Sequence, residues 1–118
     1  MLKVIIAGSR EFKDYEKLAE RCDHYLSREV DNRPIQIVSG TARGADRLGE
    51  RYAREPGFKL APFPAQWDKF GRSAGFRRNE QMADYADALI AFPVGESRGT
   101  RHMIRTAESN GLTVRVVL

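Results

Sequence analysis

The stretch Ser39-Gly40-Thr41-Ala42-Arg43-Gly44-Ala45-Asp46 has the composition of a loop that cradles an anion. Small side chains let a ligand approach the main chain closely. The free amides of a helix's first turn, at the positive end of its dipole, favour a phosphate. The stretch follows the apolar run Ile35-Gln36-Ile37-Val38 and leads into Arg47 to Ala53, which gives the order strand, turn, helix. With glycines at positions 40 and 44 it is neither a Walker A loop, since no Gly-Lys-Ser/Thr follows, nor GxGxxG. The competing reading is an ordinary tight turn that caps a helix.

Two further turns share this character. Gly8-Ser9-Arg10 ends the apolar run Val4-Ile5-Ile6-Ala7, and Pro93-Val94-Gly95-Glu96-Ser97-Arg98-Gly99-Thr100 follows Ala88-Leu89-Ile90-Ala91-Phe92. Gly99 and Thr100 offer amides and a hydroxyl at a helix start, and Ser97 a second hydroxyl. Arg10, Arg78 and Arg98 are candidates for charge-assisted contacts worth about 1.5 to 3 kcal/mol each when paired with an anionic oxygen, against the alternative that each is a solvated surface cation. Asp46 can simply interact with the helix dipole, worth about 0.3 to 1 kcal/mol. Because its charge opposes a phosphate on the same amides, beside a ligand it would accept from a ribose hydroxyl or a base. Trp67, Phe70 and Phe76 have faces on which a base can stack, but aromatics in a long connection are expected to pin it to the core. His24 reads as a surface residue, His102 as a titratable group one turn into the last helix, and the single cysteine, Cys22, as a buried structural thiol. No metal cluster and no nucleophile with an evident base is legible, so no metal and no tightly bound cofactor is expected.

These residues need a scaffold. Tyr15, Leu18, Ala19, Cys22, Tyr25 and Leu26 recur at helical spacing, so Asp14 to about Arg28 is predicted helical with Asp14 as cap, ended by Asp31-Asn32-Arg33-Pro34. A second helix is expected from about Ala45 to Arg54, stopped by Pro56-Gly57, with Leu48 and Tyr52 inward. Phe58 to Ala61 reads as a polar edge strand, and Pro62 to Gly71 as a connection. Gly75 to Ala86 is predicted helical, as is the segment bearing Met103, Ile104 and Ala107, and Thr113 to Val117 is the last strand. The wholly apolar strands belong at the centre of the sheet. Strict alternation gives an α/β fold: a single Rossmann-like three-layer domain over residues 1–118, with a mainly parallel five-stranded sheet in order 3-2-1-4-5 and helices on both faces. The chain reverses direction between strands one and four, and ligands bind beyond the carboxyl ends of strands at such a switch point. The three small-residue turns all fall there.

Hydrophobic residues at 42% and charged residues at 31% describe a globular protein, and the apolar runs are too short to span a bilayer. A cytoplasmic protein with no membrane partner is expected. Twenty Lys and Arg against 16 Asp and Glu give a formal charge of +4, compatible with anionic ligands. Most of these bases alternate with acids, unlike the concentrated face of a duplex-DNA binder.

The motifs Gly8-Ser9-Arg10, Ser39 to Asp46, Gly75-Phe76-Arg77-Arg78-Asn79-Glu80-Gln81-Met82 and Ser97-Arg98-Gly99-Thr100, in this order, resemble the YspA-type branch of the SLOG superfamily. That superfamily includes the LOG phosphoribohydrolases and the DNA-processing protein DprA. The resemblance implies a Rossmann-like fold and a nucleotide-type ligand, such as an NAD- or ADP-ribose-like molecule, near Gly8, Ser9, Arg10, Ser39, Gly40, Thr41, Gly44, Ala45, Asp46, Arg78, Asn79, Pro93, Ser97, Arg98, Gly99 and Thr100. Arg78 four residues before Met82 matches the LOG pattern. After Gly99-Thr100, however, the positions of the LOG catalytic acid hold His102 and Met103, and the double glycine has become Val94-Gly95. Glu80 and Glu96 are the weak substitutes, beside Arg78, for a catalytic role.

The leading expectation is a nucleotide-binding sensor or sequestering domain. The alternatives are a hydrolase of the ribosyl bond, with Asp46 a further acid candidate, and a single-stranded nucleic-acid binder, which is the less favoured; a homodimer or higher oligomer is compatible with any of them. Gly44→Val is expected to block the ligand while leaving the fold largely intact, as read by lost affinity in a folded variant.

Overall fold

A computed structural model describes residues 1–29 and 32–118; Asp31, one of the residues expected to end the first helix, lies outside them. The elements are β1 (Leu2–Gly8), α1 (Tyr15–Leu26), β2 (Ile35–Ser39), α2 (Ala45–Arg54), β3 (Lys59–Pro62), α3 (Trp67–Phe70), a 3-10 turn (Gly71–Ser73), α4 (Ala74–Tyr85), β4 (Ala88–Phe92), α5 (Arg98–Ser109) and β5 (Thr113–Val116). The five strands form one parallel sheet in the order β3-β2-β1-β4-β5. The predicted α/β class and strand order hold.

The apolar run of β1 is explained by its place. Strand side chains alternate between faces, and a central strand between two helical layers needs apolar residues on both. Val4 and Ile6 join Leu18, Cys22 and Leu26 of α1 and Tyr52 and Ala53 of α2 in one core. Ile5 and Ala7 join Met82 and Ala83 of α4 and Met103 and Ala107 of α5 in the other. β4 repeats the pattern, with Ile90 and Phe92 on the first side and Leu89 and Ala91 on the second. At the edges, β3 and β5 contain no fully buried residue.

Local chemistry sets the helix ends. The Asp14 carboxylate accepts from the Lys17 amide at 3.1 Å and starts α1. His24 is exposed on α1, and Cys22 is fully buried, with its thiol pushed up to about 12 by burial.

The connection after β3 departs from expectation. It forms α3 and the 3-10 turn before α4 begins at Ala74; Phe63 packs against the second core, but Trp67 is 52% exposed and Phe76, on α4, 43%. Phe70 is half-buried, with the Arg77 guanidinium 4.6 Å from its ring centre. The reason is topological. β3 is an edge strand, and α3, which follows it, buries none of its residues.

α2 lies against β1 with no side chain between them at one point. A Cβ on Gly49 would sit 2.8 Å from both Cβ and Cγ2 of Ile6. Gly49→Ala is therefore expected to destabilise the fold by about 1 to 3 kcal/mol, read as a lower urea midpoint; unchanged stability would refute the close approach.

Candidate functional site

The turns after β1, β2 and β4 meet. The Ala45 amide donates to the Ser9 carbonyl at 3.2 Å, and the Ser9 amide to the Phe92 carbonyl at 3.1 Å. Above them lies a hollow of about 270 Å³ lined by Gly8, Ser9 and Arg10 from the first turn, Asp46 from α2, Arg78 and Asn79 from α4, and Ser97, Gly99 and Thr100 from the start of α5. A second, outer hollow of about 410 Å³ is lined by Gly40, Thr41, Arg43, Pro64, Ala65 and Trp67. Arg10, Ala42 and Arg78 line both.

Arg78 is the wall between them. Its Nη1 donates to the Gly40 carbonyl and its Nε to Asn79 Oδ1 at 3.0 Å, and it makes no ion pair among the described residues. Burial holds its pKa below the ordinary guanidinium value, which the charge of Asp46 opposes. A half-buried cation with neutral partners is an electrostatic demand for an anion.

Asn79, 5% exposed, fixes that cation to α5. Its Oδ1 faces Arg78, and its Nδ2 donates to the Gly99 carbonyl at 3.3 Å and lies 3.2 Å from His102 Nδ1. The amide partners on both sides set the orientation, so His102 Nδ1 is the acceptor. The imidazole stacks on Phe76 at 4.2 Å, and burial lowers its pKa. At the start of α5, Ser97 Oγ accepts from the Thr100 amide at 3.4 Å and contacts Thr100 Oγ1 at 2.7 Å. The amides of Arg98 and Gly99, in the first turn, have no intrahelical acceptor.

The start of α2 behaves otherwise, which corrects the reading of Ser39 to Asp46 as an open phosphate loop. Three amides of this turn are already taken: Thr41 donates to Ser39 Oγ at 3.0 Å, Ala42 to Asp46 Oδ2 at 3.1 Å, and Ala45, the first residue of α2, to the Ser9 carbonyl. The Asp46 carboxylate sits on the Ala42 amide and opposes a second anion there. Ser39 and Ala45 are fully buried and line neither hollow. Gly44 faces a different depression, beside Phe12 and Leu48. At Gly44, φ is +79° and a Cβ would meet the Ser9 carbonyl oxygen at 2.4 Å, so valine there would break the turn rather than merely block a ligand. Thr41, at φ 64°, is a β-branched residue in left-handed backbone at the lip of the outer hollow.

Pro93 is half-buried and Arg98 exposed, and neither lines a hollow. Of the acid candidates, Glu96 lines the inner hollow, 3.9 Å from Arg101 Nη2, whereas Glu80 is exposed outside both. Met103 is buried in the core, so one of the two positions corresponding to the LOG acid does not face the site. Among the described residues no group of three His, Cys, Asp or Glu is placed to hold a metal.

Sequence reasoning missed Glu50. It is 3% exposed, accepts from Ser39 Oγ at 2.7 Å, and pairs with Arg47 at 3.1 Å and Arg54 at 3.7 Å. Its signal was present in the i,i+3 and i,i+4 basic partners on α2. It also missed Glu11, Met82 and Ala42 as lining residues.

A family model described as "YspA, cpYpsA-related SLOG family" matches residues 2–70. Gene 61 protein of Mycobacterium phage D29 is 38% identical over 97% of this chain and 94% of its own length. The chain belongs to the YspA-related SLOG family. Two solved structures share the SLOG fold at lower identity. DNA processing protein A of Helicobacter pylori, described for its single-stranded DNA binding mode, superposes with a TM-score of 0.68 at 19% identity, over 98% of this chain. The chain spans 64% of the length of that protein. TM1055, a structural-genomics target, gives a TM-score of 0.67 at 18% identity, over 97% of this chain and 72% of TM1055.

In this SLOG chain Asp46 is 5% exposed, and burial, opposed by the Ala42 amide and Arg78, pushes its pKa from 3.8 to about 6. A carboxyl whose pKa is raised on folding contributes stability that is full below its unfolded pKa and is lost as pH rises through the folded value. The stability of the wild type relative to Asp46→Asn is therefore expected to fall by about 2 kcal/mol between pH 4 and pH 7. Urea denaturation at a series of pH values checks this, and a difference independent of pH would contradict it.

Proposed function

We propose that this SLOG domain binds a nucleotide or nucleotide-derived small molecule at the carboxyl ends of β1, β2 and β4, in the manner of a sensor or sequestering domain. The observation that carries the reading is Arg78: a half-buried guanidinium held by a backbone carbonyl and an amide, turned toward both hollows and lacking a carboxylate partner among the described residues. A phosphate supplies the missing charge. Arg10 adds a second cation from the opposite turn, and the first-turn amides of α5 add donors. The nucleoside then lies in the inner hollow, where Asp46 and Glu96 are placed to accept from ribose hydroxyls.

Two alternatives have separate supports. Single-stranded nucleic acid draws on the arginines and exposed Trp67 of the outer hollow and on the DNA binding mode named for the Helicobacter protein. It predicts steeply salt-dependent retention of DNA. Ribosyl-bond hydrolysis draws on Asp46, a carboxyl in the inner hollow with a pKa of about 6, in the range suited to general acid–base work. It predicts free base on chromatography after incubation with nucleotides.

A ligand that binds only the folded state raises its melting temperature. A panel of AMP, ADP-ribose and NAD is expected to stabilise the wild type. Arg78→Ala is expected to weaken binding by about tenfold to a hundredfold while retaining a cooperative melt, and Arg78→Lys to restore part of the affinity. No protection by any mononucleotide, NAD or ADP-ribose, or full protection of Arg78→Ala, would overturn the assignment.

A further inference from the structure

Three features outside the Arg78 anion site itself point in one direction. The first is the shared wall: Arg10, Ala42 and Arg78 line both hollows, so a phosphate on the two arginines has room on either side of it. The second is Trp67. Its ring is 52% exposed and lines the outer hollow. A Cβ on Gly75 would lie 3.6 Å from the indole Cη2 and 3.7 Å from Arg78 Nη2, so ring and guanidinium flank the same bare backbone position. A stacking face beside a phosphate cation suits the base and phosphate of one nucleotide. The third is charge. Arg10, Arg43 and Arg78 line the outer hollow, Arg43 paired with Glu11 at 3.4 Å, whereas Glu11, Asp46 and Glu96 line the inner one. The guanidinium groups sit at the wall and outside it, and the three carboxylates suit the inner hollow to a hydroxyl-rich group whose phosphate lies at its edge, between Arg10, Arg78 and the first-turn amides of α5.

We infer that the ligand is a phosphate-bridged dinucleotide lying across both hollows: one nucleoside in the inner hollow, the bridging phosphoryl group on Arg10 and Arg78, and the second base stacked on Trp67. The inference rests on the nucleotide-binding reading and narrows it. It also separates a dinucleotide from a nucleic-acid strand, because a strand that continued past the inner nucleoside would carry its next phosphate against Glu11 and Glu96.

Trp67 is the one tryptophan of the chain, so intrinsic fluorescence reports directly on this subsite. The probes are AMP, diadenosine diphosphate and a long oligodeoxyadenylate, titrated against wild type, Trp67→Ala and Trp67→Phe. Diadenosine diphosphate is expected to quench the wild-type emission and to bind about tenfold or more tightly than AMP. By calorimetry, Trp67→Ala is expected to weaken diadenosine diphosphate about tenfold or more and Trp67→Phe to recover most of the affinity, with the melting temperature of the unliganded protein unchanged in both. Equal affinity for AMP and the dinucleotide, or no loss in Trp67→Ala, overturns the two-hollow assignment while leaving nucleotide binding standing. Tighter binding of the oligodeoxyadenylate than of the dinucleotide overturns it in favour of a strand. Failure of every probe, AMP included, removes the nucleotide reading and this inference with it.

Discussion

The architecture depends on how closely α2 lies on β1. Gly49 meets Ile6 with no side chain of its own, and a Cβ on Gly8 would come within 2.9 Å of Ala45 Cβ and 2.4 Å of the Phe92 carbonyl oxygen. Three elements are thus in near backbone contact at the carboxyl end of the sheet. That proximity lets the Ala45 amide reach the Ser9 carbonyl and the Ser9 amide reach that of Phe92. The buried bond between Ser39 Oγ and Glu50 ties the end of β2 to the body of α2. The three turns are therefore one rigid rim rather than three loops, and the hollows are the space that rim encloses.

Within the rim the two helix starts divide the work. The start of α2 is neutralised internally, by Asp46 on the Ala42 amide, and serves as structure. The start of α5 keeps amides in its first turn, and Asn79 holds it to Arg78 through the Gly99 carbonyl. The cation without a carboxylate partner among the described residues thus lies on α4, at Arg78, rather than in the glycine-rich turn where the motif draws the eye.

The fold was legible because its signals are local. Wholly apolar β1 and β4 mark a sheet covered on both faces, and the small residues at the strand ends mark the switch point. The inner hollow was legible in part for the same reason, since Gly8, Ser9, Arg10 and Thr100 line it, whereas Asn79, which also lines it, was indicated only by the resemblance to the SLOG motifs. The features that were not legible depend on direction. Nothing in the sequence says that Ser39 turns inward to Glu50 or that Gly44 faces a different depression. Trp67 and Phe76 were misread because aromatic content argues for burial, whereas Trp67 lies on α3 after the edge strand β3 and Phe76 lies on α4, stacked on His102.

Thr41 has a consequence of its own. A branched side chain in left-handed backbone at φ 64° stores of the order of 1 to 3 kcal/mol that glycine would not. The surrounding bonds hold it there nonetheless. The mouth of the outer hollow accordingly carries a backbone tension that a glycine at position 41 would release.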